Sequence, residues 1–70
     1  MEENQMDQTV VCIASVFTEK FCARLYETSQ GYIVKVFKGR TSKVLEEKTF
    51  TDFFQAEDFY ESRLEIYQIV

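Results

Sequence analysis

Residues 20–38 alternate between two side-chain faces on either side of one short turn, and no other feature of the chain limits its fold as much. In KFCARLYET, Phe21, Ala23 and Leu25 fall on one face and Cys22, Arg24 and Tyr26 on the other. In YIVKVFK, Tyr32, Val34 and Val36 oppose Ile33, Lys35 and Phe37. A period of two is that of a β-strand, whose successive side chains point to opposite sides. Ser29-Gln30-Gly31 separates the two runs and ends in a residue free to adopt positive φ, so the pair reads as a β-hairpin. A four-residue loop over 28–31 pairs Leu25 with Val34 and Ala23 with Val36. A slip of one residue would turn each apolar set to the wrong side, so the coincidence of apolar faces selects this register.

Other segments extend the sheet. Residues 9–17, TVVCIASVF, are rich in β-branched residues and apolar or small on both alternating sets, which predicts a strand buried on both faces. Thr18-Glu19-Lys20 is a poor turn, without Gly, Asn or Pro. Gly39-Arg40-Thr41-Ser42 forms another turn, followed by a strand over residues 43–50, KVLEEKTF. The period then changes. Phe53, Ala56, Tyr60, Leu64 and Tyr67 recur at spacings of 3, 4, 4 and 3, a stripe roughly 80° wide on a helix turning 100° per residue. Thr51 or Asp52 can cap a helix, with Gln55 three residues after Asp52 completing a capping box, so a helix is expected from about residue 51 to 65. The β-branched, aromatic tail over 65–70 reads as extended. The fold class is therefore α+β, a four-stranded antiparallel sheet in β-β-β-β-α order with one C-terminal helix packed across one face. Phe21, Leu25, Val34, Val36, Phe50, Phe53, Ala56, Tyr60 and Leu64 are the expected core.

A chain of 70 residues holds one domain. Residues 1–8 read as a flexible acidic arm and residues 9–70 as a single α+β domain. Seven Phe and four Tyr let so short a chain bury much area per residue. No histidine is present, which removes the commonest general base and metal ligand. Gly31 and Gly39 cannot build a phosphate loop, and Ser15, Ser29, Ser42 and Ser62 lack a nucleophile signature. Cys12 and Cys22 lie in apolar stretches and read as small core or half-buried strand residues; a disulfide between adjacent strands is the alternative. The expectation is a non-enzymatic protein with no cofactor and no metal. No run approaches a membrane span and no signal peptide stands at the start, so a cytoplasmic location is expected.

Charge is unevenly placed. Residues 1–19 sum to −4, residues 20–48 to +4 and residues 49–70 to −4. On the helix, Asp58, Glu61 and Glu65 lie at i, i+3 and i+7, opposite the apolar stripe, with Glu57 at the margin. This row reads either as a solvated face or as a contact surface for a basic partner. Lys35, Lys38, Arg40 and Lys43 fall within nine residues around the third turn. They read either as a lysine-decorated edge that blocks aggregation or as phosphate contacts.

Phe54, Phe59 and Ile66 lie outside the helix stripe, and Cys22, Tyr26, Ile33 and Phe37 share the sheet face away from the core. One helix cannot cover both faces of a sheet. Either the chain ends wrap around, or a homodimer covers the remainder, with Phe59, Ile66, Ile69 and Val70 as its interface.

Tyr32, Val34, Val36, Gly39, Phe50, Ala56 and Phe59 loosely resemble the pattern of the small arm-type DNA-binding domain of phage and transposon tyrosine integrases. That resemblance implies a sheet entering the major groove, with Lys35, Lys38, Arg40 and Lys43 as nucleic-acid contacts. The extra N-terminal strand and the acidic helix depart from the pattern. In composition the chain is similar to small acidic phage-encoded inhibitors of host defence, including anti-CRISPR proteins. The leading expectation is a phage or mobile-element inhibitor or adaptor that occupies a basic or nucleic-acid-binding surface of a host protein through Glu57, Asp58, Glu61 and Glu65. The alternative is the DNA-binding module.

Overall fold

The computed structural model describes residues 9–39 and 41–69. Residues 1–8, Arg40 and Val70 lie outside them. Four strands, β1 (Val10–Phe17), β2 (Phe21–Thr28), β3 (Gly31–Lys38) and β4 (Val44–Phe50), form one antiparallel meander in the order β1-β2-β3-β4. Helix α1 (Phe53–Ile66) follows and lies over β2, β3 and β4. The α+β architecture expected from the sequence is the one observed.

The β2–β3 register is also the expected one, with Leu25 opposite Val34 and Ala23 opposite Val36. These four residues and Ala56, Tyr60, Leu64 and Ile69 make the buried cluster. Its centre is built of small and branched side chains with the ring of Tyr60, while the other rings that pack on it stand around it. Phe21 meets Tyr67 at 5.0 Å, Tyr32 meets Phe53 at 5.5 Å and Phe50 meets Phe59 at 5.4 Å between ring centroids. Phe21, Phe50 and Phe53, expected in the core, are therefore half-buried rim residues.

Each hairpin turn is organised by a threonine, a signal that the search for Gly, Asn and Pro passes over. Thr18 Oγ1 accepts from the amides of Lys20 and Phe21, each at 3.2 Å. Thr28 Oγ1 accepts from Gln30 N–H at 3.1 Å and donates to the Gly31 carbonyl at 3.3 Å. Thr41 Oγ1 accepts from Lys43 N–H at 3.2 Å and donates to the Lys38 carbonyl at 2.6 Å. A hydroxyl that bonds its own backbone two residues on mimics a backbone turn. Gly31 has φ +146°, and a side chain there would run into the Phe50 carbonyl. Only glycine satisfies both demands.

Two segments depart from expectation. β1 is an exposed edge strand rather than one buried on both faces; only Ala14 and Val16 pack against the core. The helix sits mainly over the other three strands, so among the described residues β1 has one strand neighbour and little cover. At the other end, residues 65–69 do not leave as an extended strand. Gln68 takes φ +56°, its N–H donates to the Glu65 carbonyl at 3.1 Å, and Ile69 N–H donates to the Leu64 carbonyl at 2.8 Å. This paired cap satisfies helix-end carbonyls and folds Ile69 back beside Leu64, leaving it 4% exposed. Ile69, expected at a dimer interface, belongs to the chain's own core.

The cap yields a paired prediction. Ile69→Ala should lose about 2–5 kcal/mol of unfolding free energy in urea titrations. Gln68→Gly, which removes the strain of a left-handed side chain, should gain about 0.5–1 kcal/mol.

Candidate functional site

Helix α1 turns two unlike faces outward and inward. Asp52 caps its start, the carboxylate accepting from Gln55 N–H at 3.0 Å, and so fixes the helix phase. Ala56, Tyr60 and Leu64 point into the core. Asp58, Glu61 and Glu65 are exposed on the far side, and Glu57 is half-buried at its edge. Phe54, 72% exposed, stands at i, with Asp58, Glu61 and Glu65 at i+4, i+7 and i+11. At 100° per residue these four positions fall within about 60° of one another. Phe54 lies outside the core stripe, and the same helical period aligns it with the acids.

The helix carries one cation, Arg63, and the helical period sets it nearly opposite the acidic row. Arg63 turns towards β4, where its Nε lies 2.7 Å from Glu46 Oε1, the one ion pair among the described residues. The N–H is not directed at that oxygen, so the contact is charge to charge rather than an aligned hydrogen bond. The Arg63 guanidinium also lies 4.1 Å from the Phe59 ring centroid. Lys48 Nζ approaches the same ring at 5.4 Å. Phe59, expected at a dimer interface, is thus half-buried against Phe50 and flanked by these cations. Ile66 remains 63% exposed. Tyr67 donates to Glu46 at 3.3 Å, and burial, then the Glu46 charge, raises its phenol above the ordinary range.

The acids are placed against helix stability. None lies in the first turn, where the helix dipole would favour them, and Glu65 lies near the end where the dipole disfavours it. Glu57–Glu61 and Glu61–Glu65 are i, i+4 pairs of like charge, each costing about 0.2–0.5 kcal/mol. A row arranged only to solvate the helix would mix signs.

The opposite sheet face carries no helix. Arg24 stands directly opposite Lys35 there, a like-charge cross-strand pair. Each cation lies over a diagonal ring, Arg24 at 5.7 Å from Phe37 and Lys35 at 5.6 Å from Tyr26. The strand period puts Lys38 on the other side of β3 from Lys35. Lys43 precedes β4 on the surface, and Arg40 lies outside the described residues. Lys35 and Lys38 therefore do not share a face. Cys12 and Cys22 are both free; the register sets Cys12 against Tyr26 and Cys22 against Phe17. Among the described residues, no helix is long and apolar enough to cross a membrane.

No protein-family model matches the chain, and no curated protein or solved structure matches it significantly.

Tyr60 anchors the helix from beneath, yet its buried hydroxyl finds no hydrogen-bond partner among the described residues. Burial, then the charge of Cys12, Cys22 and Glu61, raises its phenol above 10.0. A folded value above the unfolded one means the contribution to stability is complete below about pH 10 and is lost as pH rises through the folded value. Tyr60→Phe should therefore match or exceed the parent by about 1 kcal/mol near neutrality. It should also lose less stability between about pH 8 and pH 11 in denaturant titrations.

Proposed function

We infer that this chain is a small non-enzymatic binding module that engages a basic surface of another protein through the outer face of α1. The observation that carries this reading is the exposed ring of Phe54 aligned with Asp58, Glu61 and Glu65 on the helix face opposite Arg63. The acids steer a positively charged partner and set its orientation. Phe54 supplies the apolar anchor, the residue class that dominates binding energy when a rim of polar groups excludes water around it. A surface that normally holds nucleic acid is basic and fits this row, which matches an inhibitor or adaptor of the kind phage and mobile elements direct at host proteins.

A second reading rests on Arg24 and Lys35, paired on the open sheet face over Phe37 and Tyr26. Cations beside aromatic rings are the equipment of nucleic-acid contact. The net charge of −4 opposes it.

The two readings respond oppositely to charge reversal. Affinity capture from nuclease-treated lysate should recover a partner with the parent chain and not with Asp58→Lys/Glu61→Lys/Glu65→Lys, and Phe54→Ala should weaken capture about tenfold or more. Retention on bare single-stranded DNA at ~150 mM salt, improved by the triple reversal and lost in Arg24→Ala/Lys35→Ala, would establish the second reading instead.

A further inference from the structure

The two edges of the sheet are unlike. β4, at one edge, carries Glu46, Glu47 and Lys48 within seven residues. Charges of this kind are how open edges are kept from pairing with other strands. β1, at the other edge, is eight residues long and carries no charge. Val10, Val11, Ile13 and Phe17 on it are 52%, 50%, 42% and 68% exposed. We propose that β1 is the docking edge for a second copy of this chain, joined antiparallel about a two-fold axis between Ile13 and Ala14.

The bulge in β1 supports this partner. The register against β2 shifts between Cys12 and Ala14. Val10, Cys12, Ser15 and Phe17 consequently oppose Thr28, Tyr26, Arg24 and Cys22 on the open face, while Val11, Ala14 and Val16 oppose Glu27, Leu25 and Ala23 on the helix face. A two-fold axis perpendicular to the sheet keeps each face on its own side, so paired residues must belong to the same face. In a regular strand that requires residues of equal parity. Across this bulge it requires unequal parity, which a centre between Ile13 and Ala14 provides. Val10 then meets Phe17 of the second copy, Val11 meets Val16, and Cys12 meets Ser15, each pair face-matched and occurring twice. Valine against phenylalanine is a favourable cross-strand combination.

Charge and area agree. The chain carries −4, and two copies would repel at most surfaces; β1 brings no charged side chain to the contact. Specific association needs about 1,000 Å² of total buried surface. Four large exposed side chains, the strand backbone between them and their two-fold copies supply an area of that order. The product is an eight-stranded sheet with both helices on one side, which leaves the acidic rows of α1 outward. The inference does not rest on the binding role of those rows.

Sedimentation at micromolar concentration should give twice the 8.3 kDa chain mass. Ile13→Lys should give a monomer with unchanged circular dichroism, weakening association about a hundredfold or more by forcing a charge into the contact. Ser15→Cys should form an intermolecular disulfide with Cys12 of the second copy under mild oxidation. The parent chain should not, because the two Cys12 residues are offset by three positions, about 10 Å, beyond disulfide reach. A monomer mass at all concentrations overturns the proposal, including the case in which residues 1–8 of the same chain protect the β1 amides from exchange. A dimer that Ile13→Lys leaves intact, or that Ser15→Cys fails to cross-link, overturns it as well.

Discussion

Leu25 against Val34 and Ala23 against Val36 are the pairs on which the rest of the molecule depends. All four side chains are buried, and they form a shelf of small and branched groups across β2 and β3. Such a shelf lets a helix approach with Ala56 fully buried and the Tyr60 ring beside it, and the other large rings that pack on it are displaced to its rim. The same register decides the reverse side of the sheet. Once Ala23 meets Val36 and Leu25 meets Val34, Arg24 must meet Lys35. That like-charge pair is unfavourable in isolation. Each cation finds relief over a diagonal ring, which draws Phe37 and Tyr26 into the open face as partners rather than as spare hydrophobic surface.

Charge is then sorted by contacts between elements. Glu46 on β4 takes Arg63 from the helix and accepts from Tyr67 beyond its end, so one carboxylate ties three parts of the helix–sheet boundary. A partly buried ion pair without an aligned hydrogen bond is weak evidence for stability. The outer helix face is uniformly acidic because the helical period sets Arg63 on the opposite side, and Phe54 stands at its head. Sorting of the same kind distinguishes the sheet edges. β4 is charged and guarded, whereas β1 is neutral and apolar. The described residues present three different surfaces: an acidic helix, an open sheet face with cations over rings, and an apolar strand edge.

Much of this was legible in the residues. The period of two over 21–37 and the spacings of 3 and 4 over 53–67 identified the β2–β3 register and the buried face of α1, because both signals are local. The row of Asp58, Glu61 and Glu65 was visible for the same reason. Phe54 lay on that row by the same arithmetic, but a phenylalanine is read first as core. The threonine turns were harder to see, since a hydroxyl accepting from its own backbone is a weaker signal than glycine or proline. Gln68 concealed the end of the helix, because a left-handed glutamine carries no compositional mark, and the burial of Ile69 depends on it.

By itself the sequence determined the strand and helix periods, the central register and the excess of acid on the last segment. These follow from how side chains repeat along one element. The tertiary structure alone decided which elements receive a covering layer. TVVCIASVF is apolar enough to be buried on both sides, yet it became an open edge because a fourteen-residue helix spans mainly three strands. The helical period already turns Arg63 away from the acidic row, but its pairing with Glu46 exists only because β4 passes beneath it. Burial and charge pairing are set by neighbours distant along the chain, and no local pattern carries that information.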